Sequence, residues 1–172
     1  MSLEQLQLDI TGRLDSLPAL SQVPTRAIRP RDEGEAVQIQ SDLEQTLAGL
    51  IEKDGKTGAT IIVQMPVLSV ENGNTPGPEL TVITSIRVME NPLINMGANG
   101  SQLSAEALGL LVIASLHHWD PGHVGVLFAE GSAMTPNLEF EGLIVYDVLV
   151  RCRLGLQPAG SAAAPSIAVD SG

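Results

Sequence analysis

The sequence predicts an α+β domain: a mostly antiparallel sheet packed against helices, in the order αα-ββ-α-ββ. Three observations carry that expectation. Leucines and isoleucines recur at helical spacing as far as Lys53, and from Ala59 the period changes to strand-like alternation. Between Ala105 and Leu116 only Glu106 and Ser115 carry polar side chains, so a helix there is apolar nearly all the way round. A length of 172 residues suits one domain with a single core, assigned to residues 1–157. The remainder, 158–172, is small and nearly uncharged and reads as a mobile tail.

Each element has a local reason. Leu3, Leu6, Ile10, Leu14 and Leu17 form a helical stripe, and Pro18 disfavours helical geometry at Leu17. Ser21–Arg31 is bounded by prolines, and Arg26, Ile28 and Pro30 suit a short edge strand. A second amphipathic helix is expected over Glu35–Lys53, closed by Asp54-Gly55. Ala59–Val70 is rich in β-branched residues, with Pro66 marking a bulge or an edge position. Glu71–Pro78 reads as a protruding loop. In the return strand Leu80, Val82, Ile86 and Val88 face one way, and Glu79, Thr81, Ser85 and Arg87 the other, as in a half-buried hairpin. Ser101 or Ser104 caps the apolar helix, which ends near His117–Asp120 before Pro121-Gly122. A short strand around Val124–Ala129 and a long one over Leu138–Leu154 complete the order. In the long strand, Leu143, Val145 and Leu149 interrupt an otherwise polar face, which suggests contact beyond the domain's own helices.

Composition removes several classes of function. The formal net charge is -11, and residues 59–155 hold three Lys/Arg against nine Asp/Glu. No basic cluster offers to neutralise phosphates, so gripping DNA or an anionic membrane is disfavoured. Four aromatic side chains (Trp119, Tyr146, Phe128 and Phe140) do not make a base-stacking platform. An acidic surface still suits a passage through which DNA moves without sticking. The single cysteine, Cys152, permits no intrachain disulfide and fits a reducing compartment. The N-terminus lacks the basic and apolar pattern of a signal peptide, and no run reaches the ~20 apolar residues that span a bilayer. A soluble, cytoplasmically made protein is expected.

Only one cluster carries ligand chemistry: His117, His118, Asp120 and His123. Three imidazoles and a carboxylate are zinc-type ligands, but adjacent helical residues diverge, whereas a zinc helix presents His at i and i+4. A helix C-terminus with a Pro-Gly turn accounts for the same residues. Cys152 lies on the apolar face of its strand and reads as core rather than nucleophile. Gly97-Ala98-Asn99-Gly100 lacks phosphate-loop spacing and reads as a connection. Glu90-Asn91-Pro92 ends a strand and redirects the chain; a structured turn and a subunit contact explain it equally well.

Two N-terminal helices, a long hairpin ending in Glu90-Asn91-Pro92, a following apolar helix and a closing strand pair together resemble the tail-terminator (tail-completion) proteins of long-tailed bacteriophages. The resemblance spans about residues 3–155 and is carried by shape more than by signature residues. It implies a small α+β subunit that closes into a homohexameric ring, caps the tail tube, ends its polymerisation and connects it to the head. The implied partners are other copies of the chain, the tail tube protein and a neck or head-completion protein, with DNA passing through unbound. The implied location is the virion, after assembly in the host cytoplasm.

The leading expectation is therefore a ring subunit with no catalytic role and no cofactor. Its subunit interface is expected at Glu90, Asn91, Pro92, Leu108, Leu111, Val112, Ile113, Leu143, Val145 and Leu149. Its lumen or rim acids are expected to be Glu79, Glu139, Glu141 and Asp147. The alternatives are a metal-dependent enzyme built on the His117–His123 cluster, a head-completion or neck protein, and a monomeric binding module.

Overall fold

The computed structural model describes residues 2–28, 58–71, 79–98, 100–131, 135–136 and 142–154. It has the α+β architecture that the sequence predicts. Among the described residues, helices cover one face of a seven-stranded sheet. The expected helix over Glu35–Lys53, the Glu71–Pro78 loop beyond its first residue and the 158–172 tail lie outside the described residues.

Helix α1 (Leu3–Asp15) buries Leu6, Ile10 and Leu14 and ends at Ser16, two residues before Pro18. Leu17 is extended, as the residue before a proline prefers, and Pro18–Leu20 forms a single 3-10 turn. Strand β1 (Thr25–Ala27) runs parallel to β2 (Ala59–Val63) at the sheet's edge. Gln7 sits among the apolar residues of α1 and is buried. Its Nε2 donates to the carbonyls of Ile28 (2.7 Å) and Val63 (2.8 Å) and so ties the helix to the strand ends.

The run Ala59–Val70 divides into β2 and β3 (Val67–Glu71), both antiparallel to β4 (Glu79–Glu90). The register explains the division. Val63 pairs with Ile86 and Val67 with Ile83, so one extra residue is accommodated beside Pro66, as in a β-bulge. The Thr84 hydroxyl donates to the freed Gln64 carbonyl at 2.8 Å. A short helix, α2 (Pro92–Asn95), precedes the apolar helix α3 (Ala105–Leu116).

Strand β5 (Phe128–Gly131) starts later than the sequence suggests. Gly122 and Gly125 both take left-handed backbone, and the chain turns there while Val124 and Leu127 anchor it in the core. Strand β6 (Thr135–Pro136) adds two residues beside β7 (Ile144–Leu154). The long final strand begins at Ile144, after Gly142 in left-handed backbone, and residues 138–141 of the expected strand lie outside the described residues. Strands β4 and β7 form the spine, paired from Leu80↔Leu154 to Glu90↔Ile144.

Alternation along this spine sorts the two faces. Val82, Ile86, Val88, Val148, Val150 and Cys152 pack with Ile61, Val63, α1 and α3 in the main core. On the opposite face Ile62, Met89, Leu143 and Val145 form a second buried cluster, with Ile28 against it.

Candidate assembly surface

The Glu90-Asn91-Pro92 element is an internal elbow. Pro92 holds Asn91 extended, and the Asn91 Oδ1 accepts the Leu93 N–H at 3.1 Å, capping α2 with proline at its first position. Glu90 is only 2% exposed. Its Oε1 accepts from Asn95 Nδ2 at 2.8 Å, and its Oε2 accepts the Ala105 N–H at 2.5 Å. Ala105 is the first residue of α3, where an unpaired N–H and the helix dipole favour an acidic partner. Asn95, fully buried, also donates to the Leu103 carbonyl at 2.6 Å and accepts from the Ser101 N–H and hydroxyl at 3.0 and 2.6 Å. Ser104 completes the start of α3 by accepting the Ala107 N–H at 3.2 Å. A Cβ at Gly100 would overlap the Asn95 carbonyl, so glycine is required for the loop to close on this network. Expected as a subunit contact, Glu90 instead faces inward and fixes where α3 begins. Asn91 and Pro92 are half-buried at the surface.

Helix α3 resolves into three faces. Ala105, Leu108, Gly109, Val112 and Leu116 are buried on the sheet, while Leu111 and Ile113 are half-buried on the flanks against the same core. Leu108 and Val112 were expected at the interface; the domain's own core absorbs them, and they offer a partner nothing. Glu106, Leu110 and Ala114 face outward, and the large apolar one is Leu110, 55% exposed, which sequence reasoning did not single out. Beside the elbow, Leu93 is 85% and Met96 51% exposed. A glycine inside the helix has a packing reason: a Cβ at Gly109 or at Gly131 would overlap the Tyr146 side chain, which fills the gap between α3 and β5.

Of the strand residues expected at the interface, Leu143 and Val145 are buried in the second cluster, and Leu149 is half-buried. Asp147, expected as a lumen acid, forms a two-pronged ion pair with Arg87 directly across the sheet, at 2.9 and 3.2 Å. That hydrogen bond is the main reason the Arg87 pKa lies above its ordinary value. Asp147 therefore does not add an uncompensated negative charge. Glu139 and Glu141 lie outside the described residues, as does the side chain of Glu79.

His117 and His118 come together, contrary to the divergence expected of neighbours on a helix, because His118 takes left-handed backbone at the helix end, whereas His123 lies apart. His117 caps the end of α3, its ring stacked on His118 at 4.3 Å and its Nδ1 3.1 Å from the Ala129 carbonyl. His123 lies near α1, its Nδ1 3.5 Å from an Asp9 carboxyl oxygen. Among the described residues, no three His, Cys, Asp or Glu side chains gather as metal ligands. Burial pushes the Cys152 thiol pKa upward, partly offset by a hydrogen bond with the Val82 backbone. The shift disfavours the thiolate form of the sulfur.

No helix among the described residues is long and apolar enough to cross a membrane. No protein-family model matches the chain, and comparison with curated proteins gives no match.

Proposed function

We propose that this chain is a structural ring subunit of a phage tail or neck, which caps the tail tube, ends its polymerisation and connects it to the head. The observation that supports this reading is the outer apolar surface of α2, α3 and the loop between them. Leu93, Met96 and Leu110 project from elements that the Glu90–Asn95–Ser101 network holds rigidly in place. Exposed leucines on a preorganised elbow and helix suit contact with a second protein surface. The outer edge of β3, with Val67 and Leu68 both exposed, gives further apolar surface toward a neighbour. A net charge of -11 suits a channel that DNA crosses without being held.

The test is immunogold electron microscopy of virions with an antibody raised against this chain. Label at the head-proximal end of the tail is expected. Virions that lack the chain, or label spread along the whole tube, would contradict the proposal.

A further inference from the structure

After residue 58 the chain has three cations, Arg87, Arg151 and Arg153, and all three sit in β4 or β7 on the sheet face opposite α1 and α3. Arg87 is committed to Asp147. The other two line a pocket of about 360 Å³ together with Thr81, Phe128, Glu130 and Cys152. Thr81 lies directly across from Arg153, and Phe128 directly across from Arg151. Thr81 is 4% exposed, yet its hydroxyl has no hydrogen-bond partner. A buried hydroxyl without a partner carries a desolvation cost that a ligand oxygen can relieve. Arg153 forms no ion pair among the described residues. Arg151 has Glu130, at a loose 3.5 Å and with both side chains largely solvated.

We propose that this pocket binds a small organic oxyanion, a carboxylate or a phosphate monoester, that carries an apolar group. Arg151 and Arg153 are two residues apart on one face of β7, so their Cα atoms stand roughly 7 Å apart, and both long side chains line the same pocket, within reach of one anionic head. The Thr81 hydroxyl supplies a further hydrogen bond beside Arg153. The Phe128 ring walls the apolar portion and is itself braced by edge contacts with the His118 and His117 rings, at 5.5 and 6.0 Å. Glu130 is a built-in competitor: it holds Arg151 until a ligand oxyanion displaces it. The volume falls within the range of small-molecule sites and is too small for a duplex, which the overall charge also repels.

The experiment is an NMR titration of the full-length protein with phenyl phosphate, benzoate and, as a cationic control of similar shape, benzylamine. Saturable shifts at Thr81, Phe128 and Arg153 are expected with the two anions and none with benzylamine, and the tighter anion identifies the head group. Arg153→Gln should weaken binding about tenfold or more, and Thr81→Val several-fold. Glu130→Gln should tighten it several-fold by freeing Arg151, an effect that general damage to the fold does not produce. Backbone spectra of the variants check that folding is retained. Equal response to benzylamine, no saturation, or unchanged affinity in both Arg153→Gln and Glu130→Gln would overturn the proposal.

Discussion

Three buried residues set the terms at the smallest scale. Asn95 satisfies two donors and two acceptors in a buried to half-buried network, so Asn95→Ala removes partners from Glu90, Ser101 and the Leu103 carbonyl together. A loss of about 3 kcal/mol in urea unfolding is expected, and a change within experimental error would show that the network is dispensable. Gly109 gives a prediction whose sign helix propensity alone gets wrong. Alanine favours a helix interior by about 1 kcal/mol over glycine, but here its methyl would displace Tyr146. Overpacking of that kind costs about 1–3 kcal/mol, so Gly109→Ala should lower the melting temperature; a rise would mean that the Tyr146 ring moves freely. At Cys152, burial holds the folded thiol pKa above its unfolded value. Its stabilising contribution is complete below the ordinary thiol range and declines as pH rises and the unfolded thiol ionises first. The native thiol should resist iodoacetamide at pH 8 and react fully in urea, whereas stoichiometric labelling of native protein would contradict its burial.

At the scale of elements, legibility in the sequence follows from whether a pattern has a direction. Helix α1 and strand β4 alternate apolar and polar residues with a clear phase, and their buried faces are the ones read from sequence. Pro66 marked the bulge because it cannot donate to the ladder. Helix α3 was recognisable as a helix but carried no phase, since an almost wholly apolar helix does not say which side meets the sheet. Leu108 and Leu110 were therefore indistinguishable, although only Leu110 points outward. Gly109 was the available signal, because glycine inside a helix marks close approach of a neighbour. Gln7 and Glu90 were missed as buried residues because their partners are backbone groups distant in sequence, as with Val63, or a loop network not visible in residue type, as with Asn95. The Arg151–Arg153 pocket depends likewise on cross-strand register with Thr81 and Phe128, which spacing within one strand does not disclose. The corrected helix phase makes a direct prediction. Leu110→Asp should leave the circular dichroism spectrum and melting temperature nearly unchanged and impair assembly, whereas Leu108→Asp buries a charge and should abolish folding. Full assembly by Leu110→Asp would remove α3 from the interface.

For the whole molecule, a stable core lies on the helix-covered face of the sheet, while exposed leucines and methionine project from α2, α3 and the loop between them. In the proposed ring, the high negative charge sets the conditions under which copies would come together. Like charges on neighbouring subunits repel, and at ~0.15 M salt screening acts over about 8 Å, so assembly should strengthen with added salt or divalent cations. Duplex DNA should not shift the protein in a low-salt electrophoretic assay, and tight, salt-sensitive binding would contradict a non-gripping channel. The most direct test of the central claim is the native mass of the purified chain across protein concentration and salt. A closed oligomer at a fixed multiple of 18.1 kDa, dissociated by Leu110→Asp, is expected. A single 18.1 kDa species at every concentration and salt level would contradict it.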